Sequence, residues 1–125
     1  MEKQFDDCLR YVKSRKLKGN RLLQHESVSN RIADMKTRLY ISNLVLDDCV
    51  ESLRTNSAKS MLKSSMAKLS ISEMLCENCM DAMRNYGTFG YVDGYNAASQ
   101  LKDTIGGIFY SGTSDIQRSI IASLV

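Results

Sequence analysis

Leu23–Leu53 reads LQHESVSNRIADMKTRLYISNLVLDDCVESL. Val28, Ile32, Met35, Leu39, Leu46, Cys49, Val50 and Leu53 recur in it at spacings of three and four, with Ser42 interrupting the stripe once. That is the period of one face of an α-helix, and no Pro or Gly breaks it. Thr55-Asn56-Ser57 follows as a short break of capping residues. A second stripe runs from Ala58 to Tyr86 through Leu62, Met66, Leu69, Cys76, Met80 and Met83. Ala67, Ile71, Met74 and Leu75 widen it, so this helix is expected to pack on two sides. Two long helices joined by about three residues are antiparallel neighbours in a bundle.

Working outward, residues 3–16 predict a helix with Phe5, Cys8, Leu9 and Val12 on one face. Lys16–Arg21 is a polar connector around Gly19, a helix-stop residue. After the long pair, Gly87–Gly94 predicts a loop, Tyr95–Ile105 a short helix and Gly106–Thr113 a second loop. Ser114–Leu124 predicts a last helix with Ile116, Ile120, Ile121 and Leu124 inward. Ser114 and Gln117 have capping-box spacing at its start. Nothing alternates with strand period. The expected fold is all-α: an up-and-down four-helix-bundle-like domain over residues 1–125, with two long antiparallel helices and a short C-terminal helix.

Net charge is +3, unevenly spread. Residues 1–21 hold seven Lys/Arg against three acids, and the other residues ten against eleven. Arg10, Lys13, Arg15, Lys16, Lys18 and Arg21 form either a solvated helix face or a phosphate-binding patch. A nucleic-acid role is not expected, because the excess is confined to this segment. No membrane role is expected either, since no apolar run reaches spanning length. The N-terminus carries no apolar signal stretch, so Cys8, Cys49, Cys76 and Cys79 are read as reduced thiols in the cytoplasm.

Cys76-Glu77-Asn78-Cys79 lies inside a long helix without a second pair, and His25 is the one histidine. No metal is expected, and the thiols read as core residues. The Met-rich stripe reads as core filler, His25 as structural, and Asp47-Asp48 with Glu51 as an exposed acidic face. Tyr86, Phe89, Tyr91, Tyr95, Phe109 and Tyr110 either plug the end of the bundle or wall a pocket for a flat ligand. The loop Gly106–Thr113 delivers hydroxyls and bare N–H groups to a helix start, a ready anion site.

Several segments stand in one collinear order: Arg15 with Gly19, Ile32-Ala33-Asp34-Met35 with Thr37-Arg38, and Met66-Ala67-Lys68-Leu69 with Ser72-Glu73. Gly87, Gly90 and Tyr91 come next, then Lys102-Asp103, then Gly112-Thr113-Ser114-Asp115-Ile116-Gln117-Arg118. In that order the chain resembles the C-terminal helical domain of acyl-CoA dehydrogenases, flavin enzymes that oxidise acyl thioesters. The resemblance implies FAD as cofactor, held partly across a subunit boundary. It implies that Arg15 approaches the flavin diphosphate of a neighbouring subunit. Thr113, Ser114 and Asp115 would line the FAD site, and Arg84, Gly87 and Thr88 would lie at its adenosine end. Glu26 stands where the family has a Gln that contacts FAD. There, a carboxylate would repel a diphosphate.

The departures carry as much meaning. Lys18 replaces a usual Phe and Arg84 a usual Gln. Many members carry their catalytic base as a Glu just before Gly-Thr, and Ser111 occupies that place. A Ser hydroxyl does not remove the α-proton of a thioester without a base of its own. Other members place the base on the preceding helix, at a position before Met1. The family's N-terminal helical and middle β-domains have no counterpart here. The expected function is thus a C-terminal domain or subunit of an FAD-dependent acyl-CoA dehydrogenase-like oxidoreductase. It would supply FAD-binding groups and an oligomerisation surface, with an acyl thioester as substrate of the complete assembly. FAD binding by this chain alone is not implied. The alternative is a non-catalytic binding or assembly module that has lost the base. A third reading is an unrelated helical bundle with a phosphate-binding basic end.

Overall fold

The computed structural model describes residues 1–92 and 97–125. The expected loop end at Gly94 and helix start at Tyr95 lie outside the described residues. The elements are α1 (Glu2–Ser14), β1 (Lys16–Leu17), β2 (Asn20–Arg21), α2 (Glu26–Arg54), α3 (Ser60–Tyr86), α4 (Thr88–Tyr91), α5 (Ala97–Phe109) and α6 (Ser114–Ser123). A 3-10 turn, Leu22–Gln24, joins β2 to α2.

α2 and α3 are the expected antiparallel pair. Arg31 donates to Asn85 Oδ1 at 3.2 Å near one end, and Lys63 meets Asp48 at 2.6 Å near the other. α1 packs alongside one half of this pair, with Gln4 at Cys79 and Cys8 at Asn85 of α3. Phe5, Cys8 and Val12 of α1 join Val28, Ile32, Met35 and Leu39 of α2 and Ala82 of α3 in one buried cluster. Fully burying side chains such as Met35 and Val12 contributes about 1.5–3 kcal/mol each. α5 and α6 cover another side of α3. Cys76 Sγ donates to the Thr104 carbonyl at 3.6 Å, and Arg118 reaches Glu73 at 2.5 Å. The wide apolar arc of α3 is used on two sides.

The stripe reading needs correction along its length. α1 reaches along α2 only to the cleft where Met1 meets Leu39, Ser42 and Leu46. Beyond that, Leu46 and Leu53 are about half exposed, as is Met66 on α3. Ser42, read as an interruption, is buried at 5% exposure, and its hydroxyl points to Met74 Sδ at 3.8 Å. On α6, Ser114 and Gln117 are buried while Ile116 and Leu124 are exposed. The helix is therefore rolled away from the inward face that its apolar residues suggested.

Two expected loops are partly helical. Thr88–Tyr91 forms one turn, and Gly106 and Gly107 close α5 rather than open a loop. At Gly106 a Cβ would come within 2.9 Å of the Tyr110 ring, which folds back over the helix end. Glycine there leaves room for that ring rather than for a turn, and a side chain would push the exposed ring aside. At the other end α1 stops at Ser14 because Arg15 is extended. Lys18 and Gly19, with φ of 51° and 86°, then turn a hairpin that pairs Lys16 with Arg21 and Leu17 with Asn20.

Candidate functional site

The sequence-predicted residues fall into two groups. The first is the entry to α6. Ser111 and Gly112 both adopt left-handed backbone, with φ of 57° and 86°. A side chain at Gly112 would be strained there, and its Cβ would meet Gln117 Nε2 at 2.5 Å. A non-glycine residue held left-handed, like Ser111, marks a loop whose geometry is imposed by its surroundings. Two anchors impose it. Lys68 Nζ donates to the Gly107 carbonyl at 3.0 Å, and Gln117 Nε2 donates to the Ser111 carbonyl at 3.4 Å.

The cap differs by one residue from the expected box. Thr113 is the N-cap, and its Oγ1 accepts from the Ile116 N–H at 3.3 Å. Ser114 is therefore the first helical residue. It is 6% exposed, and its hydroxyl is buried without a hydrogen-bond partner among the described residues. Asp115 points outward and reaches Arg118 at 3.5 Å. Ser111 lines two open clefts of about 480 and 380 Å3. The second is almost wholly apolar, with Leu46, Ile71, Leu75 and Tyr110 among its walls. No carboxylate or imidazole is among the described residues lining either cleft.

The second group sits where α1 and α3 end and α2 begins. Arg15 caps α1, and its guanidinium carbon lies 5.0 Å from the centre of the Phe89 ring. Gly87 ends α3 with φ of 60°, its N–H donating to the Met83 carbonyl at 2.9 Å. Thr88 follows it, exposed. Arg84 is engaged within the chain, at 2.9 Å from Asp81 Oδ1, while the other oxygen of Asp81 holds Arg38 at 2.8 Å. Glu26 opens α2 and is exposed. A carboxylate there suits the positive end of the helix dipole. The two groups are far apart. Lys68, at the first, and Tyr86, at the second, stand 18 residues apart on α3, about 27 Å at 1.5 Å per residue.

Two of the four thiols are held in the neutral form. Burial pushes the Cys8 thiol up from its ordinary value, and burial does the same for Cys76, reinforced by Cys79 and Glu73. A raised pKa leaves a neutral thiol, a poor nucleophile and metal ligand.

Residues 1–125 match the family model described as "Acyl-CoA dehydrogenase, C-terminal domain". The chain belongs to this family. The L-prolyl-[peptidyl-carrier protein] dehydrogenase of Pseudomonas fluorescens is 33% identical over 122 residues, which cover 98% of this chain and 32% of that protein. The caffeyl-CoA reductase-Etf complex subunit CarC of Acetobacterium woodii is 31% identical over 96% of this chain and 31% of its own length. The solved FAD complex of PigA superposes with a TM-score of 0.94 at 32% identity, covering 98% of this chain and 32% of that one. The chain thus spans about a third of the length of the relatives it matches.

Two residues near the sites went unassigned in the sequence. Lys68 was part of a matching segment, but nothing in its spacing reveals that it caps Gly107. Phe89 fits a plug or pocket wall by sequence, and its place under Arg15 depends on how α4 docks against the end of α3.

Proposed function

We propose that this chain is the C-terminal part of a flavin-dependent dehydrogenase acting on acyl thioesters, and that it supplies FAD-binding groups to a larger assembly. The observation that carries this is Ser114. Its hydroxyl is buried at a helix start with no partner among the described residues. Burying an unpartnered hydroxyl is unfavourable, and this one is sealed from solvent in the free chain, so a ligand oxygen reaches it only when the Ser111-Gly112 loop shifts; the N-cap and bare N–H groups beside it favour an anionic ligand. Arg15 fits a phosphate group in kind, because its side chain forms no ion pair among the described residues. FAD, when bound, would accept the hydride from the β-carbon of the thioester. The chain's own part is to bind and orient: Thr113 fixes the helix start, Ser114 donates a hydrogen bond, and Arg15 neutralises phosphate charge. The spacing of the two groups supports their serving different FAD molecules, with Arg15 reaching a neighbouring copy's cofactor.

The relatives named above act, by their names, on a carrier-protein-bound prolyl group and on a caffeyl-CoA. An acyl group carried by CoA or a carrier protein is accordingly the substrate class. No described helix is long and apolar enough to cross a membrane. The free cysteines suit a cytoplasmic setting. The purified chain should show no turnover with acyl-CoA and a dye acceptor. Steady turnover would overturn the proposal. In an assembly reconstituted with the family's other two domains, Ser114→Ala should weaken FAD retention about fivefold, the scale of one hydrogen bond.

A second reading, a binding or assembly module without dehydrogenase chemistry, is favoured by the clefts at Ser111, which lack a carboxylate or imidazole. Ser111→Glu in the reconstituted assembly separates the two. A rise in thioester oxidation supports a catalytic parent that uses this loop, whereas no change supports the module or a base on another segment.

A further inference from the structure

We infer that Phe89 is a positioning residue for Arg15, stacking under its guanidinium so that the group is held ready for a diphosphate. The inference rests on the reading of Arg15 as a phosphate contact. The guanidinium carbon stands 5.0 Å from the Phe89 ring centre, within the range of a cation–π contact.

The backbone on both sides is tied down. The Arg15 N–H donates to the Tyr11 carbonyl at 2.9 Å, and its carbonyl accepts from the Leu22 N–H at 2.8 Å. Phe89 belongs to α4, which is seated against the end of α3. A Cβ at Gly90 would lie 3.0 Å from Tyr86 Cβ and 3.2 Å from Met83 Sδ, so a side chain there would press on the end of α3 and glycine eases the close docking of α4. Tyr11 and Tyr86 pack with ring centroids 4.7 Å apart. Arg15 lies one helical turn after Tyr11, and Phe89 three residues after Tyr86. The tyrosine pair thus packs together the ends of α1 and α3 from which Arg15 and Phe89 follow.

Stacking occupies the face of a guanidinium and none of its N–H groups. All five remain in plane for two phosphate oxygens. A long side chain that otherwise moves freely loses rotamer freedom when it binds, and the ring removes part of that loss beforehand. Phe89 thus raises affinity without touching the ligand.

The test uses the 125-residue chain, inorganic pyrophosphate as probe, and NMR of the Arg15 side chain. In the unsubstituted chain the Arg15 δ-protons should show an upfield ring-current shift. Phe89→Leu should abolish that shift and weaken pyrophosphate binding about threefold, and Phe89→Tyr should restore both. In an Arg15→Gln background, Phe89→Leu should have no further effect. An Arg15 signal that Phe89→Leu leaves in place overturns the inference. So does an equal loss of affinity with and without Arg15, which marks a merely structural effect. If Arg15→Gln weakens pyrophosphate and Phe89→Leu does not, Phe89 is excluded while Arg15 stands as a phosphate contact. If neither substitution matters, the reading of Arg15 falls as well.

Discussion

Ser114 is a residue whose local chemistry conflicts with stability. A buried hydroxyl without a partner destabilises the chain by about 1–3 kcal/mol. Ser114→Ala should therefore raise the urea midpoint of the free chain, by the equivalent of about 1 kcal/mol, while lowering FAD retention in the assembly. That opposed pair of signs distinguishes a ligand-facing hydroxyl from an ordinary core serine. Tyr86 gives a second residue-scale expectation. Burial pushes its hydroxyl up to about 12, from 10.0 in the open chain. The unfolded chain thus loses this proton first as pH rises. The stabilisation is whole below pH 10.0 and vanishes as pH passes about 12. Burial raises Cys8 too, which adds to the same trend. Urea melts from about pH 9 upward should show falling stability, and Tyr86→Phe should flatten the fall.

At the scale of elements, the glycines separate by role. Gly107 lies inside α5, where a Cβ would find only ordinary contact, 3.7 Å from the Tyr110 hydroxyl. Gly107→Ala should stabilise the chain by about 0.5–1 kcal/mol through helix propensity. Gly112→Ala should destabilise it by about 1–3 kcal/mol, since the residue is left-handed and its Cβ meets the Gln117 amide. Thermal melts of the two variants should move in opposite directions. Composition gave no means of telling these glycines apart: both sit in one Gly-rich stretch, and the Lys68 side chain that meets the Gly107 carbonyl at the end of α5 comes from 39 residues earlier in the chain. The long helices were legible because period is local. Their exposed halves were not, because burial depends on how far α1 extends along α2. The site was half legible for the same reason. The order of motifs placed Thr113 and Ser114 at a helix start, but the cap fell one residue earlier than spacing suggested. Motif order was also silent on Arg84, which turns to Asp81, and on Phe89, which lies under Arg15.

For the molecule as a whole, the distance along α3 is the deciding quantity. A single bound diphosphate cannot meet both Arg15 and the α6 entry if they stand about 27 Å apart. Two copies related by a two-fold axis remove the difficulty, because each FAD then meets the α6 entry of one copy and Arg15 of the other. The half-exposed apolar residues of α2 and α3, Leu44, Val50 and Met66 among them, offer surface for such an assembly. A mixing experiment tests this in the reconstituted assembly. One preparation carries Arg15→Gln and the other Thr113→Ala, and each alone should retain little FAD. In a mixed dimer one site receives both substitutions and the other receives neither. Random pairing makes about half of the dimers mixed, so about a quarter of all sites should regain full FAD affinity. If both groups served one FAD within a single copy, every site would carry one defect. Mixing would then restore nothing.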